Sequence, residues 1–136
     1  MPFVVDASAA LAWCFADEAT AATGNLLASL QKDYAAAPAL WLSEVANALH
    51  TASRRGRLSI QDVDDHLLDL SALPLILDTP PDAVAMGITV ALARAHQLTI
   101  YDASYLELAL RHSLPLASLD TDLRKGARAE GVKLLL

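Results

Sequence analysis

Three aspartates in this sequence each end a short apolar run and stand just before a segment of helical composition. "FVVD" ends in Asp6, "LTIYD" in Asp102 and "PLASLD" in Asp120. If these runs are neighbouring strands of one parallel sheet, about 4.8 Å apart, their carboxylates converge at one edge. Two carboxylates about 4 Å apart repel by roughly 4 kcal/mol at an effective dielectric of about 20. A protein keeps such a cluster where a cation offsets the repulsion or where a raised pKa is useful.

A helix N-cap is the alternative role for each of these aspartates. An N-cap carboxylate accepts hydrogen bonds from free backbone N–H groups and contributes about 1 kcal/mol. For a single aspartate we favour this role. For three at one edge the two explanations are balanced, because capping does not require clustering. Asp78, which ends "LPLILD" and precedes "TPPD", is interpreted as a helix cap.

Glu44 adds a fourth acid, in "LSEVANALH", on an otherwise apolar face of a predicted helix. Hard divalent cations bind carboxylate oxygen and water rather than sulfur. The single cysteine, Cys14, excludes a cysteine zinc cluster, and the four histidines show no ligand spacing. Magnesium or manganese is therefore favoured over zinc.

The elements that must position these acids follow from the pattern of apolar runs. Short apolar runs alternate with longer amphipathic segments, which indicates parallel strands joined by helices. The runs are apolar on both faces, as in a sheet covered on both sides. We predict an α/β fold, a three-layer α/β/α sandwich with a central, mostly parallel sheet. In such sheets the ligand site lies beyond the carboxyl ends of the strands.

The sequence also predicts where the individual elements begin and end. The predicted strands are 3–5, 34–38, 73–78, 98–102, 115–120 and, as an edge strand, 132–136. The predicted helices are 7–13, 19–31, 40–55, 59–70, 80–95, 103–112 and 122–130. Ser59 is expected to cap the fourth helix, Pro80 and Pro81 to open the fifth, and Gly131 to end the last.

Composition favours one domain, residues 1–136. The chain is 54% hydrophobic and 19% charged, which is too apolar for a disordered chain and sufficient for a covered core. The N-terminus lacks a basic leader, and no apolar run reaches the roughly 18 residues of a spanning helix. We therefore expect no signal peptide and no membrane span, and the single cysteine fits a reducing cytoplasm.

Four segments resemble those of one protein family and occur in the same order: "VVDAS", "EVANAL", "YDASYLELA" and "SLDTDL". They are similar to segments of the PIN-domain nucleases, above all the VapC-type toxins of bacterial and archaeal toxin–antitoxin pairs, over nearly the whole chain. The resemblance implies a PIN-like fold and a homodimeric, Mg²⁺- or Mn²⁺-dependent endoribonuclease inhibited by a cognate antitoxin. It assigns the acidic quartet by position: Asp6, Glu44, Asp102 and Asp120. Asp122 stands where some members of the family have a further acid and others do not.

The acids favour a hard divalent cation, and the resemblance implies that the reaction is hydrolysis of RNA. Our hypothesis is that Asp6, with Asp102 or Asp120, holds one divalent cation directly or through water. Glu44 then completes the ligand set or orients the attacking water.

Other side chains near the acids have supporting roles in this hypothesis. Ser8, Asn47 and Ser118 are expected to hydrogen-bond the carboxylates that hold the metal. Ser8 is equally a candidate helix cap. The two tyrosines around Asp102, Tyr101 and Tyr105, are expected to pack rather than to stack on bases.

Phosphate binding needs local cations, because the net charge of −6 is unlike that of a non-specific nucleic-acid binder. Arg124 and Arg128 share one face of the predicted last helix, and Lys125 is beside them. We expect these three residues to bind RNA. A second basic group, "RRGR" at 54–57, either extends a groove from the other side or is a solvated helix end.

Two other functions are compatible with a sheet that carries acids at its edge. One is a receiver-like domain that accepts a phosphoryl group, but such domains usually have paired acids after the first strand, and Asp6 has no acidic neighbour. The other is a non-catalytic PIN-like binding module, which the presence of all four acids disfavours. Cleavage of RNA that depends on Mg²⁺ distinguishes the nuclease from both.

Overall fold

In the part of the chain that the structure describes, the central sheet has four parallel strands. The computed structural model describes residues 1–79 and 81–136. Its strands are β1 (Phe3–Val5), β2 (Ala35–Pro38), β3 (Leu75–Asp78) and β4 (Leu116–Ala117), in the order β3-β2-β1-β4. Every neighbouring pair is parallel, as predicted. β1 lies between β2 and β4 and is fully buried, because its Phe and Val side chains are covered on both faces.

Helices cover the sheet in two groups. They are α1 (Ala7–Leu11), α2 (Ala21–Ser29), α3 (Trp41–Arg54), α4 (Ile60–Ser71), α5 (Ala83–His96), α6 (Ile100–His112) and α7 (Thr121–Ala129). A short 3-10 helix, Ala16–Glu18, follows α1. Helices α5, α6 and α7 contact one another, with α6 over β1, β2 and β4, whereas α3 contacts α1 and α4. The predicted α/β sandwich is confirmed.

Local sequence determines where most helices begin. Among the described residues, a polar side chain at six helix starts accepts a hydrogen bond from the backbone N–H three residues later: Asp6, Thr20, Ser59, Asp82, Thr99 and Asp120. Each such cap contributes about 1 kcal/mol. The predicted cap of α4 by Ser59 is confirmed, and Asp62 completes a capping box there. Gly131 follows α7 in the left-handed conformation expected for it (φ 77°).

The predicted strand 98–102 is wrong. α5 ends at His96 and is followed by Gln97, which has a left-handed backbone (φ 53°), and α6 begins at Ile100. The hydroxyl of Thr99 caps α6, and Asp102 lies in its first turn rather than at a strand end. Local β-type composition in "LTIY" is overridden because Thr99 and Gln97 together define a tight turn between two helices.

The last two predicted strands are shorter than expected. β4 ends at Ala117, so Asp120 does not end a strand; it caps α7. The segment 132–136 contributes a single parallel bridge, between Leu134 and Leu116, instead of a full edge strand. Because β4 has only two residues, it offers little backbone for a further strand to pair with.

The start of α5 also differs from the prediction. α5 begins at Ala83 and is capped by Asp82, so Pro81 precedes the helix and does not open it; Pro80 lies outside the described residues. Asp78 does not cap this helix. Its carboxylate accepts hydrogen bonds from Arg111 of α6, the shorter at 2.5 Å.

No single helix among the described residues is long and apolar enough to cross a membrane. The pair α5 and α6 meets that length and composition only in combination, and the two helices are bent by 110°.

Candidate active site

The order of the strands reverses at β1. The chain adds β2 and then β3 on one side of β1, and later adds β4 on the other side. Ligands of open parallel sheets bind outside the carboxyl ends of the strands at such a reversal. Asp6 directly follows β1 and Ser118 directly follows β4. Both side chains therefore lie at the expected position of a ligand site.

Asp6 is held by three donors. It is only 4% exposed, and both of its carboxylate oxygens accept hydrogen bonds. The backbone N–H of Ala9 donates to Oδ1 over 2.9 Å, which makes Asp6 the cap of α1. The Ser8 hydroxyl lies 2.7 and 2.9 Å from the two oxygens, and the Ser118 hydroxyl donates to Oδ2 over 2.5 Å.

The two serines connect Asp6 to the segment between β4 and α7. Ser8 Oγ accepts a hydrogen bond from the backbone N–H of Leu119 over 2.9 Å. Ser118 Oγ accepts one from the backbone N–H of Asp120 over 3.0 Å. The two loops at the carboxyl ends of β1 and β4 are thereby joined through side chains that sequence analysis expected near the carboxylates.

Burial raises the pKa of Asp6 above its ordinary value. The hydrogen bonds from Ser118, Ala9 and Ser8 oppose this rise, because they stabilise the ionised form. The negative charge of Asp120 raises the pKa of Asp6 further. The carboxylates that follow β1 and β4 thus repel one another across the crevice.

Glu44 is joined to α6 by a short hydrogen bond. It lies in the first turn of α3, half-buried, and its Oε1 accepts a hydrogen bond of 2.5 Å from the hydroxyl of Tyr105. Burial raises the pKa of Glu44, and the charges of Asp102 and Asp6 raise it further, whereas the bond from Tyr105 lowers it. Burial, followed by the hydrogen bond to Glu44, raises the pKa of Tyr105.

Tyr105 is a member of the site that sequence analysis missed. It was expected to pack, and it does so with 1% exposure, but its hydroxyl also positions a carboxylate. In "YDASY" it stands three residues after Asp102, a spacing that places both side chains on one side of a helix. That spacing was not apparent while 98–102 was interpreted as a strand.

Asp102 completes the group from α6. It is half-buried in the first turn, and its backbone N–H donates to Thr99 Oγ1 over 3.1 Å. Its pKa is raised, first by burial and then by the charges of Asp120 and Asp122. Asp120 caps α7 by accepting a hydrogen bond of 2.8 Å from the N–H of Leu123.

Charge therefore couples all four predicted acids. Asp120 acts on Asp6 and on Asp102, while Asp6 and Asp102 act on Glu44. Hard divalent cations favour such a set of carboxylate oxygens.

The acids do not form a ready-made metal cage. Across residues 1–79 and 81–136, no group of three or more His, Cys, Asp or Glu side chains is arranged so that it could hold a metal ion. Protein donors occupy both oxygens of Asp6 and one oxygen each of Glu44 and Asp120. A cation at this site requires water between ligand and metal, or small rotations of the carboxylates.

The remaining predicted residues lie around this cluster. Asn47 and Asp122 are exposed, and Asp122 contributes charge to Asp102. Tyr101 is 63% exposed and does not pack as expected. Asn47 lies one turn beyond Glu44 on α3 and lines a surface cavity.

The predicted basic group on α7 is only partly available to a ligand. The guanidinium of Arg124 donates to the backbone oxygens of Ser118, over 3.1 Å, and of Leu136. It therefore stabilises the segment after β4. Lys125 and Arg128 are exposed on the same helix.

Comparison with known proteins gives a family for this arrangement. The PIN domain model matches residues 3–129. Ribonuclease VapC3 of Pyrobaculum aerophilum is 32% identical over 123 residues, which cover 90% of this chain and 92% of VapC3.

Solved structures give the same answer for the fold. The crystal structure of PAE2754 from Pyrobaculum aerophilum has a TM-score of 0.73 and 28% identity, covering 99% of this chain and 84% of that one. VapBC2 of Rickettsia felis, solved with a DNA fragment from its promoter, has a TM-score of 0.66 and 13% identity, covering 98% and 97%. By sequence and by fold, this chain belongs to the PIN-domain family, with relatives among its VapC-type members.

Proposed function

We propose that this chain is an endoribonuclease that hydrolyses RNA phosphodiester bonds with a bound Mg²⁺ or Mn²⁺. The observation that carries the proposal is the convergence of four acids that are distant in sequence: Asp6, Glu44, Asp102 and Asp120. Their closeness shows in the charge of Asp120, which raises the pKa of Asp6 and of Asp102, and in the charges of Asp6 and Asp102, which raise the pKa of Glu44. Membership of the PIN-domain family and the similarity to a protein named as a ribonuclease support the same activity.

Asp6, Asp102 and Asp120 would hold the cation, directly or through water. A bound divalent ion supplies charge neutralisation at phosphate oxygens and lowers the pKa of water. Ser8 and Ser118 orient Asp6 and favour its ionised form, because both hydroxyls donate to its carboxylate. Asp122, exposed beside this group, is a candidate further ligand.

Glu44 orients the attacking water in this proposal. The hydroxyl of Tyr105 occupies Oε1, and Oε2 is left to accept a hydrogen bond from water. The raised pKa of Glu44 makes it a better proton acceptor at neutral pH than an ordinary glutamate. Tyr105 restricts the rotation of the carboxylate, which favours one direction of attack.

Replacing Asp6 by asparagine tests the activity. We expect Asp6→Asn to lower cleavage by more than about 100-fold, because even groups that only orient metal ligands contribute about 10- to 100-fold. The measurement is a cleavage screen against defined RNAs with Mg²⁺ or Mn²⁺ and with EDTA. Asp64→Asn, an exposed α4 residue, is the matched control and should keep full activity. Cleavage by Asp6→Asn at the wild-type rate would refute the assignment.

The same screen separates the alternatives. A non-catalytic PIN-like module would bind a partner without metal-dependent cleavage. A receiver-like domain would acquire a phosphoryl group on an aspartate from a small phosphodonor, and RNA would be unchanged.

We further propose that the chain is the toxin of a type II toxin–antitoxin pair and forms a homodimer. The relationship to a VapC protein supports this proposal. Expression should arrest growth, and co-expression of the cognate antitoxin should restore it. Light scattering should give twice the 14.4 kDa mass of one chain.

The cytoplasmic location expected from the single cysteine stays a prediction.

Burial, with the charges of Asp69 and Glu18, raises the pKa of Cys14 to about 11. The thiol is therefore protonated and unreactive at neutral pH.

A further inference from the structure

A surface groove runs beside α3 from Asn47 to the basic segment 54–57. On α3, Asn47, Thr51 and Arg55 follow Glu44 at three, seven and eleven positions, which places them along one side of the helix. At 1.5 Å per residue, the distance from Glu44 to Arg55 along the helix is about 16 Å. The groove thus begins one turn from a proposed catalytic carboxylate and extends about two turns of helix, from Asn47 to Arg55.

The groove is a real concavity. A cavity of about 370 Å³ separates α3 from the end of α1 and the 3-10 helix. Asn47, Thr51, Arg55 and Arg57 line it, together with the apolar side chain of Leu11. One acid, Glu18, also lines it and is paired with Arg57. Amide, hydroxyl and guanidinium groups in one open groove are suited to the phosphates and riboses of a nucleic acid.

Arg57 is held in one orientation at the far end. Its guanidinium lies 4.1 Å from the centroid of the Phe15 ring, and Nη2 lies 2.9 Å from both carboxylate oxygens of Asp17. Glu18 forms a second, longer ion pair at 3.6 Å. A guanidinium that is fixed in this way presents a flat surface on which an unpaired base can stack.

Charge makes this groove a suitable approach for RNA. The chain carries a net charge of −6, and its acid cluster repels phosphate. Arg124 on α7 is engaged with backbone oxygens. Arg54 and Arg55 are exposed at the end of α3, where Arg57 is paired with Asp17 and Glu18. Arg55, which lines the groove, and its exposed neighbour Arg54 therefore supply cations beyond the acid cluster.

We propose that this groove binds the single-stranded RNA segment that flanks the scissile phosphate. Asn47 and Thr51 hydrogen-bond the sugar–phosphate backbone, Arg54 and Arg55 neutralise two phosphates, and Arg57 stacks on a base. The inference rests on the proposed ribonuclease function, which supplies the nature of the ligand. It gives Asn47 a role in binding substrate instead of orienting a metal-binding carboxylate.

The first test measures binding without cleavage. A short fluorescein-labelled single-stranded RNA of mixed sequence is titrated with the full chain in EDTA, and anisotropy gives Kd over a range of salt concentrations. The double variant Arg54→Gln/Arg55→Gln should weaken binding about fivefold per lost contact near 0.1 M salt, and the slope of log K against log[salt] should fall by about 1.4. The matched control is Lys32→Gln/Arg94→Gln, which removes the same charge from exposed residues outside the groove. It should change Kd by less than about twofold.

A second variant separates stacking from charge. Arg57→Lys keeps the positive charge but removes the planar guanidinium. Affinity should fall by roughly five- to tenfold, because a base loses its stacking partner, while the salt slope is unchanged. Circular dichroism checks that each variant is folded.

The inference and the proposed function fail in different ways. If Arg54→Gln/Arg55→Gln binds RNA as tightly as the charge-matched control, the groove is not the RNA path, even if the wild-type chain cleaves RNA. If the variants lose affinity as expected but wild-type protein with Mg²⁺ or Mn²⁺ cleaves nothing, the groove is supported and the nuclease assignment is refuted.

Discussion

At the level of single residues, the ionisation of Asp6 depends on its two serines. Burial and the charge of Asp120 favour the neutral acid, and hydrogen bonds from Ser118, Ala9 and Ser8 favour the carboxylate. Ser118, fully buried, is the strongest of these donors and also accepts the N–H of Asp120. The hydroxyl of the residue that follows β4 therefore influences the ionisation of the carboxyl that follows β1.

Ser118→Ala should therefore shift the pH dependence of cleavage. Without this donor the pKa of Asp6 rises further, so a higher pH is needed to ionise it, and the acidic limb of kcat/KM against pH moves upward. Activity on the plateau should fall by about 10- to 100-fold, as for other groups that orient metal ligands. The measurement is the pH–rate profile of the wild type and the variant. If the acidic limb lies at the same pH in the variant and the wild type, the ionisation of Asp6 does not determine that limb.

At the level of elements, α6 contributes more to the site than any strand does. It carries Asp102 and Tyr105, one a proposed metal ligand and the other the partner of Glu44. Its first turn is held by Thr99, whose hydroxyl accepts the N–H of Asp102. The position of a proposed catalytic carboxylate thus depends on a helix cap.

Comparison of two threonine caps tests this dependence. Thr99→Ala should lower the free energy of unfolding by about 1 kcal/mol, and Thr20→Ala, which removes the equivalent cap of α2, should do the same. Only Thr99→Ala should also lower cleavage, by about ten- to a hundredfold, because it lets Asp102 move. Urea denaturation and RNA cleavage are measured on both variants. If both variants cleave RNA equally fast, the Thr99 cap does not determine the position of Asp102 in the site.

At the level of the whole molecule, the acid cluster adds local repulsion to a chain that already has a net charge of −6. Three of the acids have raised pKa values in the folded protein: Asp6, Glu44 and Asp102. A carboxyl group whose pKa is raised on folding lowers the free energy of unfolding when it is ionised, at pH values above its unfolded pKa. A divalent cation that binds there should offset this cost and stabilise the fold.

Thermal unfolding with Mg²⁺ measures this effect without any reference to activity. At ten times its Kd, the ion should stabilise the folded chain by about 1.4 kcal/mol, which raises Tm by roughly 3–5 °C for a domain of this size. Asp102→Asn should lose most of the increase. Asp62→Asn, which removes an acid from the same position in the first turn of α4, should keep it. If Mg²⁺ raises the Tm of both variants equally, the ion binds elsewhere on the surface.

Much of the fold was accessible to sequence analysis because it depends on near neighbours. The N-caps Ser59 and Asp120 act on N–H groups three residues away, and the buried strands are recognised by continuous apolar runs. The types and order of the four acids also indicated their chemistry. These features depend on interactions within one turn or one strand, so they can be inferred from a short window of sequence.

The contacts that complete the site needed the folded chain. Tyr105 reaches Glu44 across 61 residues, and Ser118 reaches Asp6 across 112. Such contacts depend on the strand order β3-β2-β1-β4 and on how α6 packs over the sheet. Asp102 was expected at a strand end and reaches the cluster from a helix instead, because the cap and turn before α6 override local β-type composition. Residue types near each motif specify what chemistry is possible, while long-range packing specifies which side chains meet.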